Sequence, residues 1–149
     1  MKNTVLMLKT FSLGLILSTA VFAAPRYGNE AHLLGIQLGH VSGVYFSSNT
    51  EGPDILSGTI GVSNKDLALQ VQLSKLYPFQ DVINLSWYYG FLGEFVASDT
   101  AQIGIGIPFG LMYKMSEGPR LSADIAPVIS AGNDVSVSIE SEVRIAIPF

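Results

Sequence analysis

The sequence predicts an all-β fold, an eight-stranded antiparallel up-and-down transmembrane β-barrel, on three observations. The last seven residues, Val143-Arg144-Ile145-Ala146-Ile147-Pro148-Phe149, alternate apolar with other residues at period two and end on an aromatic, the pattern of a strand with one face in lipid. Charged residues make up 13% of the chain, about half the usual 25%, yet no segment beyond the first 23 residues approaches the ~18 apolar residues of a membrane helix. A barrel reconciles the two, because its strands need an apolar residue only at every second position. Finally, eight period-two segments follow one another, separated by turn chemistry.

The N-terminus sets the context. Lys2 and Lys9 form a basic region, residues 11–22 are apolar without a charge, and Val21-Phe22-Ala23 is a small-residue cleavage pattern. Residues 1–23 therefore read as a secretory signal peptide cut after Ala23, leaving residues 24–149 as one barrel domain. Its loss removes two of the eight basic residues and none of the twelve acidic ones, so the mature net charge is −6. Such a chain is a poor nucleic-acid binder. The absence of cysteine excludes disulfides and a cysteine-linked lipid anchor.

The first strand, about 33–39, sets Leu34, Ile36 and Leu38 against Gly35, Gln37 and Gly39. After the turn His40-Val41-Ser42 comes the second, about 43–48, followed by a loop over 49–54 rich in turn residues. The third, 55–62, opposes Leu56, Gly58, Ile60 and Val62 to Ser57, Thr59 and Gly61, and residues 63–66 turn the chain. The fourth is the cleanest, with Leu67, Leu69, Val71 and Leu73 facing one way and Ala68, Gln70, Gln72 and Ser74 the other. A helix would spread those apolar residues around its surface. Residues 75–81, with Pro78, make a connection to the fifth strand, about 82–95, where Ile83, Leu85, Trp87, Tyr89, Phe91 and Phe95 oppose Asn84, Ser86, Tyr88, Gly90 and Glu94. A loop over 96–100 leads to the sixth, about 101–113, whose isoleucines at 103, 105 and 107 continue through Phe109, Leu111 and Tyr113. The turn 115–119 precedes the seventh, about 120–129, which opposes Leu121, Ala123, Ile125 and Ile129 to Ser122, Asp124 and Ala126. Gly132-Asn133-Asp134 turns into the eighth, about 135–149, with Val137, Ile139, Val143, Ile145, Ile147 and Phe149 against Ser138, Glu140, Glu142, Arg144 and Ala146.

Eight strands close a small barrel whose interior is just filled by side chains. Periodicity alone leaves open a soluble barrel with the faces inverted; the bulk of the apolar face and the terminal aromatic favour apolar side chains outside. With the C-terminus periplasmic, the connections at 49–54, 75–81 and 114–119 share its side, and the short ones near 40–42, 63–66, 96–100 and 131–134 face outward. Strands one to four come out at about six to eight residues, short of the roughly 9 to 11 of a span. Trp87, Tyr89, Phe91, Phe95, Tyr113 and Phe149 suggest aromatic girdles.

The runs Gly35-Ile36-Gln37-Leu38-Gly39, Ser42-Gly43-Val44-Tyr45-Phe46, Trp87-Tyr88-Tyr89-Gly90-Phe91, Gly104-Ile105-Gly106-Ile107-Pro108-Phe109-Gly110-Leu111 and Asp124-Ile125-Ala126-Pro127, with the terminal aromatic, give the chain its likeness to a known group. In that order and spacing, over nearly the whole mature length, it resembles a family of small bacterial outer-membrane β-barrel proteins without an assigned function, of the eight-stranded OmpA/OmpX-like class. The resemblance implies a fold and a compartment, the bacterial outer membrane, and no reaction. That group usually carries arginines where this chain has Glu94, Gly106 and Ala146, with Arg144 displaced by two positions. The interior charges are thus this protein's own.

Five of them, Glu94, Asp124, Glu140, Glu142 and Arg144, fall on the face opposite the apolar one. Buried charge is costly unless paired, so a lumen network centred on Arg144 is expected, or else Glu94 and Glu142 lie at solvated strand ends. Val143, Ile145, Ile147 and Phe149 form the expected lipid-facing signal that the barrel-assembly machinery would read. His40-Val41-Ser42 resembles the His-x-Ser pair of outer-membrane lipid A deacylases, in which a carboxylate-polarised His activates Ser, but it sits early, in a turn, with no acid at a comparable spacing. The glycines of 104–110 lack the following helix of a nucleotide loop, and His32 and His40 are too sparse to argue a metal site. The expected protein is monomeric, without cofactor, non-enzymatic, and a structural or lipid- or partner-interacting envelope component. A lipid-modifying enzyme and a narrow pore are the alternatives.

Overall fold

Strands that alternate in polarity can bury one face by curling into a closed ring. In the computed structural model of the protein, which describes residues 32–49, 54–115 and 118–149, the chain does so. The signal segment expected at 1–23 lies outside the described residues. The fold is all-β, a single antiparallel sheet of nine strands: β1 His32–Gly39, β2 Ser42–Asn49, β3 Asp54–Ser63, β4 Asp66–Pro78, β5 Leu85–Ala97, β6 Gln102–Gly106, β7 Phe109–Lys114, β8 Arg120–Ala131 and β9 Val135–Pro148. Sequential neighbours pair, β6 and β7 lie end to end between β5 and β8, and β9 returns to pair with β1, which closes the ring.

Nine strands stand where eight are expected because the sixth is interrupted at Ile107 and Pro108. Its two halves, β6 and β7, keep one continuous register with β5 and with β8. Pro108 accepts from Gly90 N–H and Ile107 donates to Pro127 C=O, each at 3.2 Å. Neither proline has an N–H to return the bond, so the ladder is half-made there and the strand breaks without a slip.

Further differences concern the boundaries. The connection expected at 75–81 lies at residues 79–84, because β4 runs on to Pro78, which sits at the strand end opposite Ser86. Ile83, assigned from periodicity to the fifth strand, is in that connection and 86% exposed, and Asn84 takes a left-handed φ of 67°. β3 and β4 reach 10 and 13 residues, longer than expected: each runs one residue further to the tight turn at Asn64-Lys65, and β4 continues through Lys75, Leu76, Tyr77 and Pro78 in register with β5. Both turn residues have positive φ, the conformation that matches a two-residue hairpin to strand twist.

The two faces separate by polarity. Inside lie Gln37, Ser47, Ser57, Thr59, Gln70, Gln72, Ser74 and Ser122, with buried charges, a few small apolar clusters and Tyr45 and Tyr88. Outside, around the whole circumference, stand exposed Ile36, Val44, Leu69, Phe91, Ile105, Ile125 and Ile145 among many others. Aromatic rings gather on the outer surface toward the end carrying the last residue: Tyr77 stacks on Trp87 at 4.5 Å, Trp87 packs with Phe109, and Phe149 packs against His32 and Phe46, which also stack on each other.

Candidate functional site

The interior polar residues come together because period two sends every second side chain of each strand inward, where it is removed from bulk solvent and must find partners. Glu94, Asp124, Glu140, Glu142 and Arg144 are all buried inside, each no more than 6% exposed. The structure divides them into two groups.

Arg144 holds the first. Its guanidinium donates through Nη1 to Asp124 Oδ2 and to Tyr88 OH (3.2 Å), through Nη2 to Gln72 Oε1 (3.1 Å) and Glu142 Oε2 (3.5 Å), and through Nε to Gln37 Oε1. The planar fork is thereby committed on every edge, and its face lies 5.5 Å from the Tyr45 ring. Around it, Tyr88 donates to Asp124 (2.6 Å), Gln70 to Glu142 (2.9 Å), Gln37 to Gln70 (2.8 Å) and Thr59 to Gln37 (2.9 Å). These bonds tie β1, β3, β4, β5, β8 and β9 across the ring. Gly110 makes one of them possible: a Cβ there would stand 2.6 Å from both Tyr88 Cζ and Asp124 Cβ.

His40 gathers the second group. β1 stops at Gly39, opposite Glu142, and the His40-Val41 turn folds over the mouth of the ring. Val41 is fully buried there against Ala68 and Val96, while His40 beside it stays partly exposed. His40 Nε2 lies 3.2 Å from Ser63 Oγ, 3.4 Å from Glu94 Oε1 and 3.5 Å from Glu140 Oε1. Glu94 and Glu140 thus belong with neither Arg144 nor solvent, and Glu142 lies in the interior network, away from a solvated strand end.

The sequence pair His40 and Ser42 does not meet through its side chains: Ser42 Oγ bonds to the backbone of Gly39 at 3.2 Å. Ser63 takes its place beside His40, but both carboxylates approach the same ring nitrogen as that hydroxyl. A serine relay needs the acid on the opposite nitrogen, and this arrangement does not supply it.

Val143, Ile145 and Ile147 point outward and are 42–56% exposed. Phe149 N–H donates to His32 C=O at 3.1 Å, fastening the chain end to β1. Sequence alternation places Gln37, Gln70, Gln72 and Tyr88 on the inner face without revealing them as partners of Arg144. Buried Arg120, at the start of the seventh segment, carries no signal of its inward position beyond that alternation. A comparison with protein-family models finds no match, and neither does one with curated proteins.

Proposed function

We propose that this protein is a bacterial outer-membrane β-barrel, exported through a cleaved signal peptide at 1–23, that acts as a monomeric, non-enzymatic component of the envelope. On this reading β6 and β7 are one proline-broken spanning strand of an eight-stranded transmembrane barrel. The observation that carries it is the belt of large apolar side chains exposed around the full outer circumference while the polar and charged ones are buried inside. Contiguous apolar surface on that scale marks contact with a membrane or partner, and a full circumference fits lipid. The aromatic cluster of Tyr77, Trp87, Tyr89 and Phe109 supports an interfacial position for that end. The closing strand β9, with Val143, Ile145, Ile147 and Phe149, is the segment offered to the barrel-assembly machinery.

An interior crossed by the Arg144 bonds favours a plugged barrel over a pore, and the His40 geometry favours a non-catalytic role over lipid hydrolysis. Trp87 is the single tryptophan of the chain, which makes the test direct. On reconstitution into vesicles, brominated acyl chains are expected to quench its emission. Emission unchanged by vesicles would contradict membrane insertion.

A further inference from the structure

We propose that His40, Glu94 and Glu140 form a binding site for a divalent transition-metal ion of the zinc type at one mouth of the ring. The three residues come from the β1–β2 turn, β5 and β9, and one ligand atom of each lies within 4.8 Å of the other two. Their geometry is poor for hydrogen bonding and good for coordination. Three oxygens converge on one imidazole nitrogen at 3.2–3.5 Å, longer than the ~2.9 Å of an N–H···O bond, and a neutral or charged ring offers that nitrogen one proton at most. Ligands at about 2.0–2.2 Å from a tetrahedral zinc ion stand roughly 3.3–3.6 Å apart, close to the spacings found.

A second observation is independent of these distances. Both glutamate side chains are more than nine-tenths buried, and among the described residues Glu94 Oε2 and Glu140 Oε2 have no hydrogen-bond partner. Ser138 Oγ, at 3.3 Å, donates to Glu140 Oε1. Two buried carboxylates at this range repel unless a cation lies between them. Arg144 is committed to Asp124 and Glu142, so His40 is the basic side chain found beside them among the described residues. An imidazole with two carboxylates is a donor set for zinc-like ions rather than for magnesium or calcium. Ser63 Oγ or water completes the fourth position. His40, with 31% of its side chain exposed, is the entry. The site lies inside the ring whichever medium surrounds the outside.

Equilibrium dialysis of Zn2+ against the purified, chelator-stripped folded protein tests this. One saturable equivalent per chain is expected, with a raised unfolding temperature. Loss of a direct ligand is expected to weaken binding by at least the roughly 10- to 100-fold typical of an outer-shell partner, in His40→Asn, Glu94→Gln and Glu140→Gln alike. His40 sits in a half-exposed turn, so His40→Asn keeps the test informative even where a glutamate variant misfolds. No saturable Zn2+ binding, or binding that His40→Asn leaves unchanged, would overturn the proposal and leave the cluster as a proton-sharing one.

Discussion

Arg144 sits at the centre of the interior because four side chains from four other strands, Gln37, Gln72, Tyr88 and Asp124, point their acceptors at it, and Glu142 joins from its own strand. Replacing one partner of such a buried set leaves the others desolvated and uncompensated, a loss of about 3–5 kcal/mol. Arg144→Met is therefore expected to lower thermal stability in detergent sharply. Adding Asp124→Asn and Glu142→Gln to it is expected to recover part of that loss, because the stranded charges go with the cation. Unchanged melting of Arg144→Met would remove the network from any stabilising role. That five charges share the inner face was legible from alternation alone. Their division between Arg144 and His40 was not, because partners across a ring depend on the stagger of strands far apart in the chain, such as Gln37 with Gln70.

At the level of elements, period two carried most of the information. β4 shows why, with leucines and valine on one side and alanine, glutamines and serine on the other along one strand. Prolines set the points where the reading failed, since a missing N–H splits β6 from β7 at Pro108, while at Pro78 it is tolerated at a strand end. The faces of the strands also make a quantitative prediction. Ile125, mid-strand in β8 and outward-facing, is expected to lie near the membrane midplane, where an arginine costs about 2–4 kcal/mol, against ~0–1 near an interface. Val135, the first residue of β9, is the interface control. Denaturant unfolding from lipid vesicles measures the pair: Ile125→Arg is expected to destabilise strongly and Val135→Arg weakly. Equal and small effects are what an exposed position on a water-facing surface would show.

For the molecule as a whole, polarity is inverted relative to a protein with water outside. The exposed exterior is rich in isoleucine, leucine, valine and phenylalanine, and the interior in glutamine, serine and paired charge. With β9 paired to β1, the sheet of described residues closes on itself without a free edge, which is how strands satisfy their backbone in lipid. Periodicity alone left open which face turned outward, because alternation is symmetric under that exchange, while the bulk of the apolar face favoured it outside; the burial of the polar face and the exposure of the apolar one give that direction, and the proposed lipid surroundings suit it. The most direct measurement is electrophoretic migration in detergent, with and without boiling, of protein recovered from fractionated cells. A membrane-embedded barrel is expected in the outer-membrane fraction, migrating differently before and after heating. A chain found soluble in the periplasm without detergent, with one mobility at both temperatures, would contradict the account.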